Sequence, residues 1–308
     1  MTALAPRSGL LVFVATRTED VPHGCAKYLS VDGSVPGAAL TWDHHVTGEA
    51  INLDAMPDLI DSAGYDGIGT TLADLDAVAS VIAVNFGGKA NLPAGVRAVL
   101  ECGSHWCDHL RPHPNFDAEQ NRLGRGLLDA VAPLLGGGAR ETSARFAEQC
   151  ADLTRTIGEG AALPYADLFE GALARARTLG RLGRIVQKGD VALVDLRGEP
   201  GIDPAALYLQ FPQPVAVFID THSDGGRRYT VGVNPHVPVR PTDLREALQA
   251  LAEREFVHGP PCLGPKPQAG QENWGGRATV FGSPFNYGSR LAPEEVVEVV
   301  TDGLRRRA

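Results

Sequence analysis

Cysteine is scarce in this sequence and unpaired by spacing. The five residues Cys25, Cys102, Cys107, Cys150 and Cys262 form an odd number with no Cys-x-x-Cys pair, which argues against a disulfide framework and a structural zinc knuckle. Reduced thiols in a cytoplasmic protein are the expectation. Long apolar runs are missing too. The stretch Leu10–Val14 after Arg7 is too short for a membrane span or for a signal segment with its flanks, so it predicts a first β-strand and no membrane partner. Positive charge is also in deficit: the formal charge is −9 and the isoelectric point is about 5.5. A broad basic surface for long nucleic acid is therefore not expected, although a local basic pocket is compatible with this balance. The sequence shows no internal repeat and no extended low-complexity tract.

What is present describes an ordinary globular chain. Its 308 residues are 44% apolar and 21% charged, enough for a proper core and most naturally divided into two domains. Short apolar runs at 10–15, 38–42, 81–84 and 97–101 predict strands of an α/β domain with a mostly parallel sheet. Residues 117–182 read as a helical connector, with long helical stretches at 119–135 and 165–182. Beyond Gly189, runs at 190–196, 206–210, 215–220 and 228–233 predict strands, followed by a helix over 243–256, a loop over 259–276 and a last helix from Pro293, since proline suits a first helical position. These signals predict a first domain over 1–184, connector included, and a smaller α/β domain over 185–308.

Three clusters carry chemistry in the first domain. Asp43-His44-His45 follows the run 38–42, and the ends of strands in open α/β sheets are where ligands bind. One carboxylate and two imidazoles there suit a divalent metal, or Asp43 simply caps a turn. Asp74-Leu75-Asp76 opens a helix after Gly67–Thr71; its two acids can face one cation or two, or serve as an N-cap and a first-turn acid. The third cluster runs from Glu101 through Asp108 to His113 and holds Cys102, His105, Cys107 and His109. It reads as metal ligands, as a polar loop around Trp106, or as a cysteine nucleophile beside a histidine.

Together, Asp-His-His and Asp74-Leu75-Asp76-Ala77-Val78-Ala79-Ser80 resemble two signature motifs of the DHH–DHHA1 phosphoesterases. The resemblance implies a DHH-like first domain that holds two divalent ions, manganese first and magnesium as the alternative. It implies metal ligation by Asp43, His44, Asp74, Asp76 and Asp108, with His44, His45 and Asp108 in catalytic roles. Two features depart from the family pattern: Thr70 stands where a histidine usually precedes the Asp-x-Asp pair, and Asp-His-His comes first in the chain instead of second. His105 and His109 are candidate replacements for that histidine.

In the second domain, a strand and a helix are followed by Trp274-Gly275-Gly276-Arg277 and by Gly282-Ser283-Pro284. Glycines let backbone N–H groups approach an anion, and arginine adds a planar clamp. This order resembles the DHHA1 domain, with Arg277 where that domain has histidine, and assigns substrate binding to Gly275, Gly276, Arg277 and Ser283. The hairpin-like segment His222–Arg227 is kept out of the site. The resulting expectation is a phosphoesterase of a small phosphorylated substrate, with an interdomain cleft and a homodimer as a compatible state. Two alternatives stay open: a diverged metalloenzyme with a non-phosphate substrate, and a non-catalytic nucleotide-binding protein.

Overall fold

A computed structural model of the chain describes residues 9–135, 139–199, 201–237, 244–258 and 273–305. The chain divides into two compact units, one ending at Phe169 and the other starting at Glu170. The sequence reading put that division at 184/185. Most of the predicted 259–276 loop, with Cys262, lies outside the described residues, as does the Gly136–Gly138 connector loop.

The first unit runs β1 (Leu11–Val14), β2 (Tyr28–Val31), β3 (Leu40–Trp42), α1 (His44–Thr47), α2 (Asn52–Ala55), β4 (Gly67–Thr70), α3 (Leu75–Asn85), α4 (Ala94–His109), α5 (Ala118–Leu135) and α6 (Ala139–Gly158). Its sheet has the order β1-β4-β2-β3, and every pairing is parallel. The strands therefore end at one edge, which receives Asp32, Asp43 and the turn after Thr70. Strand β4 consists largely of glycine because bulk has no room there: a Cβ on Gly69 would stand 2.7 Å from the Phe13 ring, and one on Gly67 would stand 2.4 Å from Cys25 Sγ.

Two predicted strands of this unit are helical. Residues 81–84 lie within α3 and 97–101 within α4. Helix α3 is buried at every position from Leu75 to Asn85, so it shows no polar face. A short apolar run of that kind cannot be told from a buried strand by periodicity. The Glu101–His109 cluster consequently sits on a helix and not at a strand end.

The second unit comprises α7 (Phe169–Arg181), β5 (Ile185–Lys188), β6 (Val191–Asp195), α8 (Pro204–Tyr208), β7 (Val215–Thr221), β8 (Arg227–Val233), α9 (Arg245–His258), β9 (Gly275–Gly276), β10 (Val280–Gly282) and α10 (Pro293–Arg305). Its mixed sheet has the order β5-β6-β7-β8-β10-β9, with β6 and β7 parallel and the other pairs antiparallel. Val217, Tyr229, Leu251, Trp274, Val296 and Val300 are among the residues of its core. The predicted strand at 206–210 overlaps α8, whose N-cap Asp203 accepts a hydrogen bond from Ala205 N–H. Among the described residues, no helix is long and apolar enough to cross a membrane.

Candidate metal centre

The strand ends of the first unit bring acids and histidines together from four segments. Asp32 follows β2 with φ of +48°, a left-handed conformation that Asp tolerates better than most residues. Its carbonyl accepts a hydrogen bond from Thr70 Oγ1 at 3.1 Å. The residue in place of the expected histidine thus holds the backbone of an acid. Asp43 caps α1 by accepting His45 N–H at 2.9 Å, and Asp74 caps α3 by accepting Ala77 N–H at 3.0 Å. Both capping readings hold, and they fix where the following residues point.

His44 is the hub. Its Nε2 lies 3.3 Å from Asp32 Oδ1, 3.7 Å from Asp76 Oδ2 and 3.1 Å from Asp108 Oδ2. Its backbone N–H donates to Asn52 Oδ1 at 3.0 Å, while Asn52 N–H donates to Asp76 Oδ2 at 2.8 Å. Asn52, itself fully buried, thereby ties the Asp-His-His segment to the Asp-x-Asp segment. His45 places Nδ1 3.0 Å from Asp43 Oδ1, and its side chain is 38% exposed.

Three sets of ligand atoms converge within 4.8 Å: Asp32–His44–His45, His44–Asp76–Asp108 and Asp74–Cys107–Asp108. His44 is shared by the first two sets and Asp108 by the last two. Asp43 is in none of these sets; its Oδ1 lies 3.0 Å from His45 Nδ1, and Asp32 is the acid that joins His44 and His45 in the first set. His105 and His109 also stand apart. His105 packs against the rings of His109 and His113, and its Nδ1 lies 3.0 Å from Arg111 O. Cys102 is fully buried, and burial pushes its thiol up to about 12, which removes it as a nucleophile.

The polar atoms of this cluster are close but poorly paired. Asp32 Oδ1, His44 Nε2 and Asp76 Oδ1 are buried without a hydrogen bond of acceptable alignment, although His44 Nε2 is within ion-pair distance of three carboxylates. His44 Nε2 is thus held by charge and proximity to several carboxylates at once, without one well-aligned partner. Burial pushes Asp74 up to about 8, with the nearby Asp32 charge adding to it. Asp76 is driven well above the usual carboxylate range by burial, Asp32 and Asp108. Burial by itself would lower His44, but the carboxylates of Asp108, Asp32 and Asp76 outweigh it and raise the imidazole to about 11. Crowded acids that retain protons, around an imidazole that retains its own, form a set in which protons stand in for missing cationic charge. The donor set fits divalent metal.

The sequence reading missed Asp32 and Asn52. Asp32 carries the signal that marked Asp43, an acid directly after the short apolar strand Tyr28–Val31, but with a glycine after it instead of histidines. Asn52 has no such signal. In the second unit, Gly275 and Gly276 form β9, Arg277 is exposed in the turn to β10, and Ser283 is buried with its hydroxyl accepting Tyr229 N–H at 2.9 Å.

No protein-family model and no curated protein matches the chain. Among solved structures it is similar to PggH, a pGpG-specific phosphodiesterase from Vibrio cholerae, with a TM-score of 0.50 and 15% identity over 92% of this chain and 86% of that one. An exopolyphosphatase-related protein from Bacteroides fragilis follows with a TM-score of 0.39 and 10% identity, over 91% of this chain and 71% of that one. The first likeness shows a shared α/β fold.

Proposed function

We propose that this chain is a metal-dependent phosphoesterase, a divergent member of the DHH–DHHA1 family acting on a small phosphorylated molecule such as a nucleotide, a short oligonucleotide or a phosphorylated metabolite. The observation that carries the reading is the convergence of Asp32, His44, Asp76 and Asp108 with buried atoms left unbonded. Leaving such atoms unmade costs about 1–3 kcal/mol each, a cost that a bound cation removes. Asp108 belongs to two ligand sets, so one carboxylate can serve two neighbouring positions, which supports a pair of ions, manganese or magnesium.

A divalent cation held there supplies positive charge for phosphoryl oxygens and lowers the pKa of its bound water. The chain's own side chains supply the rest. Asn52 holds Asp76 and the His44 backbone in register. His45 is tethered to Asp43 through Nδ1, and in its doubly protonated form its Nε2–H would donate to a substrate phosphoryl oxygen. The family's DHHA1 assignment leaves Gly275, Gly276 and Arg277 as the proposed substrate contacts of the second unit.

The test is phosphate release from a panel of nucleotides, sugar phosphates and 5′-phosphorylated dinucleotides by metal-stripped protein reloaded with manganese or magnesium. The dinucleotides are included because PggH, which shares the fold, is specific for pGpG. Manganese-dependent release should fall by about a thousandfold or more in Asp74→Ala plus Asp76→Ala, since both acids lie in the ligand sets. Full activity in that double variant would sink the proposal. Cys107 favours one second reading: its Sγ converges with Asp74 and Asp108, and a thiolate selects softer ions than manganese. Elemental analysis separates the two, since paired manganese supports the first and a single iron or zinc supports a diverged metalloenzyme.

A further inference from the structure

A cavity of about 480 Å³ in the second unit is bordered by Arg197, Arg227, Arg290, Thr221 and Asp224. It lies where the β7–β8 hairpin meets the loop before α10. The turn at Arg277 lies at the other end of β8, where Val233 N–H donates to Thr279 O. Seven residues of β8 intervene, which puts the two places about 20 Å apart along the strand. The cavity is therefore separate from the glycine turn assigned to substrate.

Its floor is closely built. Gly226 and Gly288 touch, and a Cβ on Gly226 would stand 2.6 Å from Gly288 Cα. Asp224 clamps both strands of the contact by accepting Gly226 N–H at 2.8 Å and Gly288 N–H at 2.7 Å. It also pairs with His222 at 2.9 Å, so the only acid among the described residues of the border already has its partners. From below, buried Glu255 accepts Ser289 Oγ–H at 2.6 Å and Arg290 N–H at 3.2 Å.

The arginines differ in how far they are committed. Arg197 forms a two-point pair with Asp195. Arg227 directs Nη1 at the carbonyls of Arg290 and Leu291 at 3.5 and 3.2 Å, and its other guanidinium nitrogens have no bond among the described residues. Arg290 is exposed, and its guanidinium has no bond among them at all. In a chain of formal charge −9, three guanidinium groups border one cavity; Asp195 offsets Arg197, which leaves Arg227 and Arg290 as the forks open to an added anion. Planar guanidinium forks match phosphate oxygens in pairs.

We infer that this basin is a second anion site, one that takes the phosphate group of a small phosphate ester or pyrophosphate without the help of metal. Arg290 and Arg227 grip the oxygens and Arg197 supplies charge beside them. The inference is independent of the metal-dependent reading.

Inorganic pyrophosphate titrated into the full chain in the presence of chelator, followed by calorimetry, tests it. Saturable binding is expected, weakened by added salt. Arg290→Gln should weaken it about tenfold with unchanged circular dichroism and melting temperature, because that side chain holds nothing else. Arg227→Lys keeps the charge but loses the fork, and should also weaken it. Asp74→Ala plus Asp76→Ala should leave it unchanged. No saturable binding, or binding indifferent to Arg290→Gln, overturns the inference; so does binding that the Asp74/Asp76 variant abolishes.

Discussion

Asp76 in the first unit and Glu255 in the second are both fully buried, yet their surroundings are opposite. Glu255 accepts Trp274 Nε1–H and Ser289 Oγ–H on one oxygen and Arg290 N–H on the other. Asp76 accepts Asn52 N–H on Oδ2, leaves Oδ1 unbonded, and faces the charges of Asp32, Asp74 and Asp108. A buried acid with its donors in place holds chain segments together. A buried acid crowded by other acids is stable only when something positive joins it. The contrast sets a carboxylate that ties chain segments together against one proposed to hold metal, and it can be broken by experiment.

Asp76→Asn should show the largest effect. The amide retains an oxygen to accept Asn52 N–H but cannot act as an anionic ligand, so metal-dependent turnover should fall by about a thousandfold. Metal-free stability should stay level or rise, because the amide is neutral without having to take up the proton that the buried acid must bind. Urea denaturation in chelator checks the second half. A clear loss of metal-free stability would place Asp76 with Glu255 as a structural acid.

Glu255→Gln should behave in the opposite way. Only one of the two glutamine side-chain termini can accept, so at least one of Trp274 Nε1–H, Ser289 Oγ–H and Arg290 N–H is left without its acceptor, at a cost of about 1–3 kcal/mol. The urea midpoint should drop accordingly, while manganese-dependent turnover per folded molecule should be retained. A variant as stable as the parent would show that these bonds are replaceable by water.

The same contrast explains what could be read from the sequence. Asp43, His44, His45, Asp74 and Asp76 were legible because their residue types and spacing form known motifs, and the structure brings all but Asp43 into converging ligand sets. Asp32 was not, because β2 is only four residues long and the acid is followed by a glycine. Strand β4 was hidden by Gly67 and Gly69, which lower strand signal and are required by packing against Cys25 and Phe13. Helix α3 looked like a strand at 81–84 because burial on every side erased its polar face. The strands β6, β7 and β8 and the helices α5, α9 and α10 were legible, since each alternates or caps in the way its element requires. Pairings across tens of residues, such as Asn52 with Asp76, have no local signature at all.

The smallest expected effect is on the pH dependence of stability, and its sign is fixed by the directions of the shifts. Asp74 is raised in the fold from 3.8 to about 8 and His44 from 6.5 to about 11. Each group therefore binds its proton more tightly in the folded state than in the unfolded one. Between pH 6.5 and 8 the unfolded chain has released both protons and the folded chain retains them, so the contribution to stability, complete below those ordinary values, declines as pH rises. With two protons at stake, the decline in chelator should be about 2 kcal/mol per pH unit. Manganese should reverse the trend, since cation and protons compete for one set of oxygens and its stabilisation grows as protons leave. Glu255→Gln should preserve both slopes, whereas Asp76→Asn should flatten them. Melting temperatures across this window, with and without manganese, provide the measurement, and a metal-free slope that Asp76→Asn leaves untouched would move the proton linkage away from this cluster.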